Sequence, residues 1–300
     1  MLEMFNHGAW CLESRFFNRI SPLIFRSLTH GNDLPKSLFE TKVEDYPKGR
    51  HAYASGIDGE YLNGQYYYFL KDNSKVLSLP VKGTLTKNGD LCSYGSAQLI
   101  KEIDKANRDD DVDAILLDGE GPGGTVDGIT AFSDSIYNSE KPIIGFGDRM
   151  LASAHYWAFS QTTELVLNDQ EYSEVGSIGV LQMLISHTEM LKKEGIKVEI
   201  MRAEQSIDKA LINSVEEWPE ASIKQEQQLL NSIANDFSNA VRRGRGSTLQ
   251  KSDENIFTGK MYQKDQALSL GMVDHLGSKA EAIILAADYA KYKKKKSIII

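Results

Sequence analysis

The strongest constraint on this chain is an alternation that begins near Lys75. Residues 112–119 read Val-Asp-Ala-Ile-Leu-Leu-Asp-Gly. Such a short continuous apolar run is the pattern of a strand buried on both faces, as in a parallel sheet covered by helices. Comparable strands are predicted at 76–81, continuing after a kink at Gly83, and at 143–148, 164–168, 173–183 and 196–203. Between them, residues 96–109 place Ala97, Leu99, Ile100 and Ile103 at helical spacing. Residues 126–138, 153–160 and 187–195 also read as helices. Strands alternating with helices predict an α/β fold with right-handed crossovers. A long helix is expected over 219–243, and two more over 261–277 and 279–292.

Residues 1–75 show little periodicity and read as an N-terminal extension, with a charge-rich linker over 40–50. The folded domain is expected over 76–290, followed by a basic and apolar tail, 291–300.

Composition removes several function classes. The formal net charge is −8, and non-specific nucleic-acid binding needs a basic face. No uninterrupted apolar stretch approaches the ~18 residues of a membrane span. Glu13, Arg15, Arg19 and Arg26 break any signal-peptide core, so a cytoplasmic location without a membrane anchor is expected. Cys11 and Cys92 read as free thiols, and no metal-ligand spacing occurs. No cofactor is expected.

Four segments can carry chemistry. Residues 118–124, Asp-Gly-Glu-Gly-Pro-Gly-Gly, follow a predicted strand and open a predicted helix; their N–H groups can stabilise a phosphate or an oxyanion. The same letters fit a dinucleotide fingerprint, Gly119, Gly121 and Gly124, with Asp148 as the ribose acid, and they also fit a plain tight turn. Ser153, among small residues at a helix start, is either an N-cap or a nucleophile. His155, two residues on, lies on a different helix face and is read as a packing or substrate-groove residue. Ser177 sits between Gly176 and Gly179, where a bulge or a close approach is expected. Lys209 is either a solvated loop lysine or a base made competent by burial, with Ser177 able to hold it.

In this order the segments resemble the signal-peptide-peptidase-A family of serine peptidases, over about residues 76–277. The resemblance includes phage lambda-like capsid assembly peptidases. Gly259, Ala267, Gly271, Val273 and Asp274 match the family's "G-x-x-A-x-x-x-GLVD" ending, with a longer Gly-to-Ala spacing. The resemblance implies a Clp-protease/crotonase-like fold, a repeated β-β-α superhelix with parallel sheet and C-terminal helices. It makes Ser153 the nucleophile, Lys209 the base, Ser177 its support, and Gly123 and Gly124 the oxyanion donors. It also implies a homo-oligomer whose substrates are proteins or peptides, with phage capsid and scaffold proteins the expected targets. There are departures. Gly121 stands where the family has serine, Ala154 and His155 stand where it has glycines, and Lys209 falls about two residues late. A signal-peptide-degrading peptidase, a crotonase-like acyl-CoA enzyme, an NAD-binding oxidoreductase and an inactive scaffold remain as alternatives.

Overall fold

The computed structural model describes residues 9–30, 49–89, 94–249 and 254–298. The predicted linker over 40–50 lies almost wholly outside them, as does Cys92.

The strands are β1 (Trp10–Leu12), β2 (His51–Ala54), β3 (Ile57–Leu62), β4 (Gln65–Leu70), β5 (Lys75–Lys82), β6 (Ala114–Gly121), β7 (Gly123–Thr125), β8 (Ile143–Ala152), β9 (Glu164–Asn168), β10 (Glu174–Gly176), β11 (Met261–Gln263) and β12 (His275–Gly277). The helices are α1 (Ser14–His30), α2 (Ser96–Arg108), α3 (Ile129–Tyr137), α4 (Ala154–Phe159), α5 (Thr188–Lys193), α6 (Glu220–Arg245), α7 (Lys264–Ser269) and α8 (Lys279–Ile298).

The main sheet runs β11-β10-β8-β6-β5-β4-β3-β2, with β9 on β8 and β12 on β9. Its centre is parallel: β5 with β6, β6 with β8, β8 with β9 and β10. This is the mixed α/β architecture with a mostly parallel sheet and C-terminal helices that the alternation predicts. Side chains divide between the two faces with period two. Ile115 and Leu117 of β6 join Leu77, Leu79, Phe132 and Leu165 in the larger core. Ala114 and Leu116 join Val76, Ile144, Phe146 and Val166 in the second core, which is closed by Ala282, Ile283, Ala286, Ala287 and Ala290 of α8. The alanine stripe lets α8 lie close on the sheet.

The structure differs from the sequence reading in five places, the first being the strand expected over 173–183, which is limited to Glu174–Gly176. Residues 51–70 are not an irregular extension; β2, β3 and β4 form an antiparallel meander that widens the sheet. Residues 118–124 do not open a helix: β7 intervenes, and α3 starts only at Ile129. Residues 196–203 form no strand; Ile196, Val198 and Met201 are exposed there, and no strand among the described residues pairs with them. Residues 261–277 fold as strand, helix and strand rather than helix alone. Residues 182–218, including α5, make a long arm in which no residue is buried.

Strand β8 positions the chemistry. Its first half pairs with β9 and its last three residues pair with β10. The chain then turns directly into α4, and Ser153 is the residue at that turn.

Candidate active site

Ser153 has φ 56° and ψ −117°. For a residue with a Cβ this is a strained conformation, which persists only where the surroundings hold it. Its N–H donates to the Gly176 carbonyl at 2.7 Å, so the glycine-flanked segment after β10 holds the turn. Gly176 itself has φ 134°, and a Cβ there would stand 2.5 Å from the Lys260 carbonyl. The close approach expected of the Gly176–Gly179 segment is therefore made by the backbone entering β11. Although Ser153 precedes α4, its side chain makes no cap hydrogen bond. The hydroxyl is buried and has no hydrogen-bond partner. Leaving a buried hydroxyl unpaired costs on the order of 1–3 kcal/mol. A capping role does not account for such a group.

The Cys11 thiol lies beside Ser153. Burial pushes the thiol up to about 12, against a smaller lowering effect from the Ser153 side chain. The contact falls short of hydrogen-bond geometry, so the Ser153 Oγ stays unpaired.

Gly123 and Gly124 behave differently from one another. β7 pairs antiparallel with β1, with Cys11 opposite Gly124. Glu13 N donates to Pro122 O at 2.7 Å and Val126 N donates to Ala9 O at 3.3 Å. By the alternation of an antiparallel ladder, Cys11 and Gly124 are a hydrogen-bonded pair, so the Gly124 N–H points at the Cys11 carbonyl. The Gly123 N–H points the other way and donates to His155 Nδ1 at 3.2 Å. Of the two expected oxyanion donors, Gly124 alone faces a carbonyl bound along β7.

His155 is fully buried, and burial lowers its pKa to about 4, with the Val81 backbone pulling weakly the other way. It is neutral near pH 7. Accepting from Gly123 places its proton on Nε2. It is not the base for Ser153, in line with its helix position.

Ser177 is buried, with φ 53°. Its N–H donates to Lys260 O at 2.7 Å and its hydroxyl lies 3.4 Å from the Leu12 carbonyl. It does not hold Lys209. Lys209 is exposed, on a turn of the long arm. Arg202 staples that turn: its Nε donates to Lys209 O at 2.6 Å, and its Nη2 donates to Ala210 O at 3.0 Å and pairs with Glu216 at 2.5 Å. The backbone of the turn is fixed while the lysine side chain points to solvent. Within one chain, Ser153 and Lys209 are not brought together.

The dinucleotide reading loses its basis. Gly119, Gly121 and Gly124 face their own chain: added Cβ atoms would meet Phe159 at 2.3 Å, the Gly83 carbonyl and His155 at 2.4 Å, and the Leu85 carbonyl at 1.7 Å. Asp148 accepts from Asn168 Nδ2 at 2.8 Å. No group of residues able to hold a metal occurs among the described residues.

A profile of peptidase family S49 matches residues 136–293, more than half of the chain. The chain belongs to peptidase family S49. Its relatives include a putative protease of Methanocaldococcus jannaschii, 26% identical over 61% of this chain and 58% of that protein. The putative signal peptide peptidase SppA of Enterococcus faecium is 24% identical over 70% of this chain and 62% of its own length. Capsid assembly protease C of Escherichia phage lambda is 25% identical over 71% of this chain and 49% of its own length. The chain thus spans less than two thirds of each. Among solved structures, a membrane-bound stomatin-specific protease bound to a substrate peptide is 15% identical, covering 70% of this chain and 78% of that one, with a TM-score of 0.39.

Two departures from the S49 pattern share one cause. The His155 ring occupies the space where a side chain at position 121 would begin, so a histidine at 155 and a glycine at 121 fit together. The S49-like ending also acquires a physical role. Arg245, buried at the end of α6, binds Asp274 through both Nη atoms, at 2.8 and 2.6 Å, and donates from Nε to Gly271 O at 3.1 Å. Tyr156 of α4 donates to Met272 O at 2.9 Å. The ending clamps the helix that follows Ser153. Sequence reasoning singled out Asp274 only as part of a motif and missed Arg245 altogether; a lone arginine near the C-terminal end of an amphipathic helix gives no sign that it is buried.

Proposed function

We propose that this S49 peptidase is a serine endopeptidase in which Ser153 is the nucleophile and Lys209 the general base, acting on phage or prophage capsid and scaffold proteins. The observation that carries the reading is the strained Ser153 turn with its buried, unpaired hydroxyl. Lys209 is delivered by a second copy of the chain. Two features support this: the stapled turn holds the lysine outward, and the same arm exposes Ile196, Met201 and Ile207, apolar groups that a partner surface would cover.

The chemistry follows from these groups. An amine that loses its hydration beside Ser153 favours the neutral form and accepts a proton. As Lys209 takes the hydroxyl proton, Oγ bonds to the peptide carbonyl carbon and the carbonyl oxygen becomes an oxyanion facing the Gly124 N–H. The C–N bond then breaks, and the ammonium returns its proton to the leaving amine. Water repeats the sequence on the acyl-enzyme, with Lys209 again the proton acceptor, and frees the acid and Ser153. The capsid target is supported by the likeness to the lambda capsid assembly protease; the likeness to a putative signal peptide peptidase makes membrane-released peptides the second reading.

The test is intact-mass analysis of capsid and scaffold proteins co-expressed with wild type, Ser153→Ala or Lys209→Ala. Defined cleavage by wild type that disappears in both variants is the expected result. Cleavage lost only with Ser153→Ala would place the base elsewhere, and cleavage unaffected by Ser153→Ala would remove the serine mechanism.

A further inference from the structure

Strand β1 runs directly beside Ser153. It is hydrogen-bonded along both edges. On one side it pairs with β7 over Trp10–Leu12; on the other, Trp10 N donates to Leu181 O at 2.8 Å and Leu181 N donates back at 2.9 Å. An extended segment clamped between two backbone edges is how strand-adding clefts bind peptides. The register puts Cys11 at the chemistry. Its carbonyl faces the Gly124 N–H, and its thiol lies beside Ser153. A Cβ added at Gly123 would stand 2.0 Å from Cys11 O and 2.9 Å from Ser153 Cβ, so the Cys11 carbonyl and the serine adjoin the same point. Trp10 and Leu12 anchor the strand in a small apolar cluster with Ile20, separate from the two main cores.

We infer that Trp10–Leu12 is a built-in occupant of the peptide cleft, bound as a substrate would be with Cys11 preceding the scissile position, so that external peptides enter only when this strand leaves. The inference rests on Ser153 marking the cleft. It explains why Ser153 is wholly buried in a single chain, and it makes the chain's own segment the first peptide that the site meets.

The test uses the full chain with Cys92→Ser, so that Cys11 is the single thiol, and compares it with the same chain carrying Trp10→Ala or Trp10→Phe. Maleimide modification of Cys11 reports strand release and needs no catalysis. Deleting the buried indole is expected to speed it roughly a hundredfold, whereas phenylalanine keeps it within about tenfold of the parent. Fluorophosphonate modification of Ser153 is expected to accelerate alongside. The peptide Ala-Trp-Ser-Leu-Glu-Ser, which copies residues 9–14 with serine for cysteine, is then added to the Trp10→Ala chain. It is expected to raise Cys11 reactivity further and to slow Ser153 modification, because it takes the vacated cleft. Intact mass showing hydrolysis between Cys11 and Leu12 supports the same assignment. The inference is overturned if the peptide leaves Cys11 reactivity unchanged, or if Ser153 of the parent reacts as fast as that of Trp10→Ala. If Ser153 is inert to fluorophosphonate in every variant while the peptide still displaces the strand, the cleft is occupied as inferred and the nucleophile assignment is what fails.

Discussion

The surroundings of Ser153 and the arm that carries Lys209 are built on opposite principles. The serine turn is packed on every side: it follows the central strand, is held by Gly176, and is backed by α4, whose Trp157 stacks on Phe237 of α6 at 4.5 Å. The arm over 182–218 has no fully buried residue and is organised by polar contacts, chiefly those of Arg202. The contrast teaches that a strained turn needs a rigid frame, whereas the proposed base, to reach another copy, has to stay outside its own frame.

The largest expected effect separates chemistry from stability across these two regions. Ser153→Ala is expected to lower kcat by about 10⁴ or more and Lys209→Ala by about 10²–10⁴. Lys209→Ala is also expected to leave the unfolding free energy within about 0.5 kcal/mol of wild type, since the residue is exposed. A clear loss of stability with Lys209→Ala would mean that the arm is part of the frame.

Ion pairs sharpen the same comparison. Removing the Asp274 carboxylate strands the buried Arg245 guanidinium and is expected to cost about 3–5 kcal/mol in urea unfolding. Glu216→Ala breaks the partly exposed pair with Arg202 and is expected to cost far less, because solvent screens such a pair. Equal costs would contradict the distinction between frame and arm.

The frame also carries a pH dependence of its own. His155 is held near 4 by burial, against an ordinary 6.5. The unfolded chain therefore binds this proton first. The contribution is complete above pH 6.5, declines as pH falls, and is gone below about 4, amounting to about 3 kcal/mol at most. Unfolding at pH 7 and pH 4.5 should differ more for wild type than for His155→Asn; an identical difference would show that His155 is not the group responsible.

The smallest expected effect concerns the pair behind the two family departures. Gly121→Ser drives a Cβ into the His155 ring and the Gly83 carbonyl, at about 1–3 kcal/mol for overpacking. Combining it with His155→Gly should recover part of that cost, a coupling of about 1 kcal/mol. A coupling of zero would make Gly83 the sole obstacle.

Much of this was legible in the residues. The continuous apolar run Ala114–Leu117 announced β6, because a strand buried on both faces carries apolar residues at successive positions, and the small residues around Ser153 marked the start of α4. What escaped has physical reasons. The meander over 51–70 is rich in tyrosine and glycine, and its Tyr66, Tyr67 and Tyr68 are all buried, which erases the alternation by which strands are read. β1 is three residues long and is defined by its partners, not by its own pattern. The apolar residues over 196–203 imitate a strand, but a strand needs a neighbour and the described residues offer none. Lys209 and Ser153 are both visible in the sequence; that one chain keeps them apart is a property of the arm, which no spacing records.

The central claim is a serine and a lysine that meet between copies. Its most direct test mixes purified Ser153→Ala and Lys209→Ala proteins, each inactive alone, under conditions that exchange subunits, and measures peptide cleavage. Recovery of activity toward about a quarter of wild type, the statistical share of sites holding both intact groups, is the predicted result. A mixture that exchanges subunits yet stays silent would contradict the account.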